Sequence, residues 1–253
     1  MPAAGPFAAV VLAAGQSTRM SSPLPKPLLP VLGKPMLLHV LDTVRRARAA
    51  RVVAVVGHRA REVRAVLPPW CRPVLQAERL GTGHALACAA AELADFAGPV
   101  VVLYADTPLL RVETVKALLA RYRQPGVGAV LLSMCLPEGG DYGRIVRDDT
   151  GGVAAIVEAV DCTPAQRAIT EVNAGMYVFR APAIFDILGS LQGDNAKGEL
   201  YLTDAVALLR ARGTRVEALP AQDPQEALGV NTLEELAQAE ALLASREDSR
   251  DHV

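Results

Sequence analysis

The chain has 253 residues, of which 51% are hydrophobic and 21% charged, and its formal net charge is −1. This length and apolar content allow a substantial buried core, in one large α/β domain or two small ones. The balanced charge excludes a general basic field that would recruit nucleic acid or a membrane surface. We therefore expect small-molecule ligands, with any anionic group held by local charge.

The cysteines and the N-terminal region bear on location. Cys71, Cys88, Cys135 and Cys162 are widely spaced and form no CxxC pair, which argues against zinc or a disulfide framework and fits a reducing compartment. The apolar run Phe7–Ala14 is too short for a membrane span and has no basic region before it. A cytoplasmic location is expected.

The first half of the chain alternates buried strands with helical patterns. Such alternation predicts βαβ units with right-handed crossovers, and hence a mostly parallel sheet flanked by helices. The continuous apolar runs indicate strands buried on both faces. The predicted strands are Ala8–Leu12, Val52–Val56 and Val100–Tyr104, and the predicted helices are Met36–Ala49 and Gly83–Leu93.

Ligands of such sheets bind beyond the carboxyl ends of the strands. The loops after Leu12, Val74 and Tyr104 should therefore converge on one crevice. These loops also carry the unusual residues of the sequence.

Beyond about Pro137 the pattern changes to short strand-like segments, Ile145–Arg147, Val153–Val157 and Met176–Phe179, before helices return from Pro182. Short strands bounded by turn residues, inserted into an α/β chain, predict a β-rich lobe.

The segment Thr232–Ser245 has a threonine at a helix start, a glutamate three residues later and leucines at helical spacing. This pattern predicts a terminal helix that begins with a capping box. The tail, residues 246–253, is expected to be disordered. We therefore expect a main domain over residues 1–231 and a linker-like helix with its tail over residues 232–253.

The first candidate site is the small-residue loop after the first strand. Small residues let backbone amides approach phosphate oxygens, while two nearby cations supply positive charge for a triphosphate. The loop is neither a Walker A motif nor GxGxxG, and an ordinary strand-to-helix turn with two exposed cations is the alternative. The residues concerned are Leu12, Ala13, Ala14, Gly15, Arg19 and Lys26.

The second candidate site is the segment Gln76–Ala85, which follows a further predicted strand that ends near Val74 and is the third in chain order. The Gln76 amide offers a donor and an acceptor to the edge of a pyrimidine, and Gly81 lets backbone groups reach a base. The alternative is a plain Gly-Thr-Gly loop in which Thr82 caps the next helix. His84 by itself is expected to be structural.

Two oxygen-bearing side chains are candidate metal ligands. Asp106 follows a hydrophobic strand, and Asn231 stands directly before the terminal helix. Mg²⁺ prefers oxygen ligands and is often held by few protein groups together with substrate phosphates. Each residue has a structural alternative, since Asp106 could cap the turn before a helix and Asn is common near helix starts.

The later region offers Tyr142-Gly143-Arg144, Glu158 and Asn173. A carboxylate and an amide near the ends of adjacent β segments can take hydrogen bonds from sugar hydroxyls. Spacing alone proves little, and without further context Glu158 and Asn173 are more often solvated residues at strand ends than ligands.

These motifs, in this order, resemble the uridylyltransferase domain of the bacterial bifunctional N-acetylglucosamine 1-phosphate uridylyltransferase/glucosamine 1-phosphate acetyltransferase. The resemblance covers roughly Val10 to Ala241. Its segments are LAAGQSTRM, PKPLLPVLGKPML, QAERLGTGHA, YADTPLL, DYGRIVR, IVEAVD, EVNAGMYVF, NAKGELYLTD and GVNTLEEL.

The resemblance implies a Rossmann-like nucleotidyltransferase fold with an inserted sugar-binding lobe. It further implies that UTP and N-acetylglucosamine 1-phosphate react, with Mg²⁺, to give UDP-N-acetylglucosamine and pyrophosphate. By matching position, the catalytic residues would be Arg19 and Lys26. The nucleotide would be held by Leu12, Ala13, Ala14, Gly15, Lys26, Gln76, Gly81 and Thr82, the sugar by Tyr104, Gly143, Glu158 and Asn173, and the metal by Asp106 and Asn231.

Three features depart from the family pattern. Ser17 replaces a glycine of the signature loop, Val160 stands where a lysine is expected, and no hexapeptide repeats of an acetyltransferase half are present. Acetyl transfer and trimerisation are therefore not expected of these residues. Ser17 and Val160 keep open a related enzyme for another pair, such as glucose 1-phosphate with UTP or dTTP. A non-catalytic nucleotide-sugar binding module is the other alternative.

Overall fold

The computed structural model describes residues 5–16, 20 and 22–248. The strands are β1 (Ala8–Ala13), β2 (Pro30–Val31), β3 (Lys34–Pro35), β4 (Arg51–Val56), β5 (Cys71–Leu75), β6 (Gly98–Tyr104), β7 (Val127–Cys135), β8 (Arg144–Arg147), β9 (Val153–Val157), β10 (Glu171–Ala181) and β11 (Arg215–Pro220). The helices are α1 (Met36–Arg46), α2 (Ala60–Ala65), α3 (Thr82–Cys88), α4 (Val112–Tyr122), α5 (Pro164–Arg167), α6 (Ala183–Leu188), α7 (Asp204–Ala211) and α8 (Leu233–Asp248).

The central sheet has the strand order β11-β7-β10-β6-β1-β4-β5. β1 pairs in parallel with β4 and β6, and the β4–β5 and β7–β11 pairs are also parallel. β10 runs antiparallel between β6 and β7. The prediction of a mostly parallel sheet flanked by helices is confirmed, with β10 as the antiparallel exception.

β1 shows why this sequence builds three layers. All six of its residues are buried, and successive side chains of a strand point to opposite faces. Ala9 and Val11 join a core cluster with α1 and α4, whereas Val10 and Leu12 join a cluster with α3, α6 and α7. Apolar side chains therefore cover both faces of the sheet, as its uninterrupted apolar strand predicts.

The β-rich region is less separate than the sequence suggests. β8 and β9 form an antiparallel hairpin that joins the central sheet through one pairing, Arg144 with Val172. The predicted strand Met176–Phe179 is the middle of the eleven-residue strand β10. The register of β10 against β7 shifts between Asn173 and Tyr177, because a bulge inserts extra residues into one strand.

Two helices end earlier than predicted. α1 stops at Arg46, and Arg48 takes the left-handed φ of 67°, a conformation that cannot continue a right-handed helix. α3 stops at Cys88, after which Ala91–Leu93 forms a separate 3-10 turn. Apolar periodicity continues through both segments and does not reveal these ends.

The C-terminal helix α8 packs on the rest of the chain. The predicted capping box is present, because Glu235 N donates to Thr232 Oγ1 at 3.1 Å and Thr232 N donates to Glu235 Oε2 at 3.1 Å. Ala239 is buried in a cluster with Val31 and Leu109. The division at residue 231 into a main domain and a linker-like helix stays a prediction.

The predicted disorder of the tail is wrong at Arg246–Asp248, which lie in the last turn of α8. Arg246 Nη1 donates to the carbonyl oxygen of Leu109 at 2.7 Å, and this contact holds the turn in place. The rest of the tail, residues 249–253, lies outside the described residues. In the part of the chain that the structure describes, no helix is both long and apolar enough to cross a membrane.

Candidate active site

A cleft of about 600 Å³ opens beyond the carboxyl ends of β1 and β6. This is the edge of a parallel sheet at which ligands bind, so the predicted convergence of these loops on one crevice is observed. Eleven of the predicted site residues line the cleft, namely Leu12, Ala13, Ala14, Gly15, Lys26, Gln76, Gly81, Thr82, Tyr104, Asp106 and Asn231.

The phosphate-loop candidate is fixed by its neighbours. Ala105 N donates to the carbonyl oxygen of Leu12 at 3.0 Å, which ties the ends of β1 and β6 together. Gly57 lies behind the loop, where a Cβ atom would come within 2.8 Å of the Cβ of Ala14. Gly57 therefore permits the close packing that supports the loop, and sequence analysis did not single it out. Arg19 and Ser17 lie outside the described residues.

Lys26 reaches the floor of the cleft from a 3-10 turn, Lys26–Leu28. Its ammonium group contacts Oδ2 of Asp106 and donates to Oδ1 of Asn231 at 2.9 Å. The Lys26 side chain is 14% exposed and that of Asp106 is 24% exposed. The predicted phosphate-binding cation and the two predicted metal ligands thus meet at one point.

The backbone holds the two oxygen-bearing residues together. Val230 N donates to the carbonyl oxygen of Asp106 at 2.9 Å. Asn231 N donates to Oε2 of Glu235 at 2.5 Å, so the capping box of α8 also fixes Asn231. Arg111, and not Asp106, occupies the N-cap of α4, and the Asp106 carboxylate contacts Lys26.

The donor set fits a hard divalent cation. Asp106 and Asn231 present one carboxylate and one amide oxygen to a common point that already holds a positive charge, the ammonium of Lys26. Mg²⁺ takes oxygen ligands and completes its shell with water and substrate phosphates. Within the described residues, no group of three or more His, Cys, Asp or Glu side chains could hold a metal ion, so the two protein ligands would need substrate oxygens.

Gln76 also lines the cleft and is only 4% exposed. Its backbone N–H donates to the carbonyl oxygen of Val56 at 2.8 Å, and its side-chain nitrogen donates to the carbonyl oxygen of Gly81 at 3.0 Å. Gly81 has a φ of 110°, and a Cβ atom there would lie 2.6 Å from the carbonyl oxygen of Leu200. Only glycine fits this conformation and this contact.

The alternative role for Thr82 as a helix cap is wrong. Gly81 occupies the N-cap of α3, and Thr82 is the first helical residue. The Thr82 hydroxyl accepts a hydrogen bond from Leu202 N at 3.0 Å and lies near enough to the Tyr104 phenol to lower its pKa. Thr82 therefore joins the nucleotide-binding candidates to Tyr104.

Tyr104 stands between the cleft and the remaining predicted sugar ligands. Its burial, and then the nearby Glu158 carboxylate, raise the pKa of the phenol well above its ordinary value. The hydroxyl therefore stays protonated at neutral pH and can donate a hydrogen bond.

Gly143, Glu158 and Asn173 lie together but outside the lining of this cleft. Asn173 N donates to the carbonyl oxygen of Gly143 at 2.8 Å, and a Cβ atom on Gly143 would lie 3.6 Å from Oε2 of Glu158. Burial raises the pKa of Glu158, and the hydrogen bond from Thr203 at 2.9 Å partly offsets this effect. The alternative of separate, solvated strand-end residues does not describe this cluster.

The Asn173 side chain is largely engaged within the protein. Its Nδ2 donates to the Tyr177 hydroxyl at 2.7 Å and its Oδ1 accepts from Gly175 N at 3.1 Å. Its amide keeps one further hydrogen and one further lone pair. Val160, the position expected to hold lysine, is 53% exposed and brings no charge to this cluster.

Sequence analysis missed several residues of the cleft. Gln16, Arg79 and Glu199 also line it, and the Arg79 guanidinium contacts Oε1 of Gln16 across its mouth. Gln16 and Arg79 stand inside the quoted motifs. Their position next to the candidate residues of those motifs was the signal that could have identified them. Glu199 stands in the quoted segment NAKGELYLTD, in the loop before α7, but its local sequence pattern does not indicate that this loop reaches the cleft.

The fold and the cleft are those of a nucleotidyltransferase. A family model, the MobA-like NTP transferase domain, matches residues 9–201. The chain therefore belongs to the family of MobA-like NTP transferase domains.

The chain is also similar to proteins named "Bifunctional protein GlmU". It is 46% identical over 238 residues to the protein from Brevibacillus brevis, covering 94% of this chain and 52% of the relative. It is 45% identical over 241 residues to the protein from Pelobacter propionicus, again covering 94% and 52%. The chain thus spans about half the length of these curated relatives. They confirm the resemblance inferred from the motifs.

The solved structure of a UDP-glucose pyrophosphorylase complexed with UDP-glucose has a similar fold. The TM-score is 0.75 at 19% sequence identity, and the match covers 96% of this chain and 100% of that one. At this identity the likeness supports the architecture alone.

Proposed function

We propose that the chain is a cytoplasmic, magnesium-dependent uridylyltransferase that converts UTP and N-acetylglucosamine 1-phosphate into UDP-N-acetylglucosamine and pyrophosphate. The observation that carries this proposal is the meeting of Lys26, Asp106 and Asn231 at the floor of the cleft. The motif resemblance and the GlmU relatives support the substrates.

The reaction is an in-line displacement at the α-phosphorus of UTP. An oxygen of the sugar 1-phosphate forms the new bond to this phosphorus, while the bond to the bridging oxygen of pyrophosphate breaks. The attacking oxygen is already ionised at neutral pH, so no protein base is needed. Positioning and charge neutralisation then supply the catalysis.

Different residues are proposed to bind the phosphates, the base and the metal ion. The backbone of Leu12–Gly15 approaches the phosphates, and Lys26 neutralises their developing charge. Gln76, Gly81 and Thr82 hold the base, and Arg19 is proposed as a second catalytic cation from the motif resemblance. When bound by Asp106 and Asn231, Mg²⁺ would supply charge neutralisation on the phosphates.

The cluster beyond Tyr104 is proposed to hold the sugar. Glu158 accepts hydrogen bonds from sugar hydroxyls, and the remaining capacity of the Asn173 amide binds the acetamido or hydroxyl groups. Gly143 is proposed as a sugar contact from the motif resemblance, and the absence of a side chain there lets Ile156 pack against it. Tyr104 donates its protonated hydroxyl. In this proposal the sugar phosphate binds beside the nucleotide rather than within its pocket.

The test is pyrophosphate release from UTP and N-acetylglucosamine 1-phosphate with Mg²⁺, measured for wild type, Asp106→Asn and the matched control Asp42→Asn. Asp42 pairs with Lys34 on the exposed face of the chain, so the control makes the same chemical change outside the cleft. Asp106→Asn should lower kcat/KM at least hundredfold and the control by less than twofold. Full turnover by Asp106→Asn would contradict the metal assignment.

A further inference from the structure

The Gln76 side chain is held by two neighbours. Its amide nitrogen donates to the carbonyl oxygen of Gly81 at 3.0 Å and lies 3.1 Å from Nδ1 of His84. A carbonyl oxygen can only accept, so the amide nitrogen, and not the amide oxygen, must face Gly81. This contact identifies which side-chain atom is the amide nitrogen, even though the nitrogen and oxygen atoms look alike in a structure.

His84 completes the constraint. In neutral imidazole one ring nitrogen carries a proton and the other accepts. Nδ1 faces the amide N–H, while Nε2 lies 4.0 Å from Sγ of Cys88, so the tautomer with its proton on Nε2 satisfies both contacts. Both amide hydrogens are then directed to acceptors inside the protein, which leaves the side-chain oxygen as the amide group available to a ligand in the cleft that Gln76 lines.

We infer that His84 is a positioning residue that sets base specificity through Gln76. With its amide turned in this way, Gln76 offers an acceptor to the base edge. Uracil and thymine carry a hydrogen on N3 and complement that acceptor, whereas N3 of cytosine is itself an acceptor. The site would therefore select nucleotides with an N3–H donor. This inference rests on the proposed function, because it assumes a pyrimidine nucleotide in the cleft.

Without the His84 acceptor, one amide hydrogen loses its partner in a site that is almost fully buried. The bond to Gly81 alone then holds the amide, so turning it to offer a hydrogen to N3 of cytosine costs one internal hydrogen bond instead of two. Two opposed acceptors in a buried site cost about one to two powers of ten in affinity. The preference for UTP over CTP should fall by about that factor once the amide is free to turn.

Three substitutions of His84, together with one control variant, distinguish this role from a structural one. His84→Phe keeps a ring of similar size but removes the acceptor, and His84→Leu removes it with a different shape. His84→Asn places a side-chain oxygen near the position of Nδ1 and should restore the constraint. Cys88→Ala is the matched control, since Cys88 touches the other ring nitrogen and lies one helical turn away.

The experiment measures the dissociation constants of UTP and CTP by calorimetry, with melting temperatures as a check on folding. We expect the ratio of the two constants to fall at least tenfold in His84→Phe and His84→Leu, and to stay within about threefold of wild type in His84→Asn and Cys88→Ala. A folded His84→Phe or His84→Leu protein with the wild-type ratio would overturn the inference, as would a wild-type protein that binds both nucleotides equally.

A failure of the proposed function would give a different experimental result from a failure of this inference. Nucleotide binding needs no sugar phosphate, so a wild-type protein that prefers UTP in a His84-dependent way but makes no pyrophosphate would contradict the proposed reaction while supporting the role of His84. The conservative variant also serves if His84→Phe fails to fold. In that case the comparison of His84→Asn with His84→Leu decides the outcome.

Discussion

Replacing Lys26 with methionine tests the charge at the floor of the cleft. The substitution keeps the length and apolar stem of the side chain but removes the ammonium that contacts Asp106 and Asn231. The matched control is Lys34→Met, which makes the same change at a lysine paired with Asp42 on the surface. Only the first variant should affect turnover.

The expected magnitude follows from the surroundings of the charge. A hydrogen bond between charged groups contributes about 1.5–3 kcal/mol, and two unit charges 4 Å apart interact by about 4 kcal/mol at an effective dielectric constant near 20. The Lys26 side chain is 14% exposed, so screening is incomplete but present. A loss of about 2–4 kcal/mol lowers kcat/KM by about 30- to 1000-fold.

The assay is continuous pyrophosphate release at several nucleotide concentrations, together with binding of Mn²⁺ measured by electron paramagnetic resonance in the absence of nucleotide. Because the ammonium competes with a divalent cation for the same two oxygens, Lys26→Met should bind Mn²⁺ at least as tightly as wild type. A kcat/KM within threefold of wild type would refute the role of Lys26. Weaker Mn²⁺ binding would show instead that the lysine supports the metal site.

Three further predictions concern the loop at Gly81, the helix cap at Thr232 and the buried thiol of Cys71. Gly81→Ala places a Cβ atom against Leu200 at a φ of 110°, so the dissociation constant of UTP, measured by titration, should rise at least tenfold; an unchanged constant would contradict this account of the loop. Thr232→Ala should lower the free energy of unfolding by about 1 kcal/mol in urea titrations, whereas Thr232→Ser should not. Burial raises the pKa of Cys71 to about 12, so in native protein a thiol reagent should label the exposed Cys135 and reach Cys71 only after denaturation.

Much of the fold follows from local pattern. The strands β1, β4 and β6 are continuous apolar runs because both of their faces are buried, and this property is visible in the sequence. The direction of β10 was not predictable in the same way. Its antiparallel place between β6 and β7 depends on the long connection before it, which local periodicity does not describe.

The candidate site was also predictable from the sequence only in part. The motif order pointed to Lys26, Asp106 and Asn231 individually, but their meeting depends on backbone contacts between distant segments, such as Val230 N with the Asp106 carbonyl oxygen. Gly57 and Glu199 were missed for the same reason. The alternative that Thr82 caps α3 was wrong because Gly81, whose backbone lies against Leu200, occupies the N-cap.

His84 shows where sequence reasoning stopped short. Taken alone, a histidine inside a helix is expected to be structural, and its contact with Gln76 becomes visible only when β5 and α3 are placed together. Glu158 and Asn173 were expected near the ends of adjacent β segments, but their closeness to Gly143 depends on how the β8–β9 hairpin pairs with β10.

The most direct test of the central claim is pyrophosphate release with Mg²⁺ across UTP, dTTP, CTP and GTP, each paired with N-acetylglucosamine, glucosamine and glucose 1-phosphates. UTP with N-acetylglucosamine 1-phosphate is expected to give the highest kcat/KM. Preference for another pair, such as glucose 1-phosphate with UTP or dTTP, would contradict the proposed substrates and leave the mechanism standing. Absence of release with every pair would contradict catalysis and indicate a nucleotide-sugar binding module.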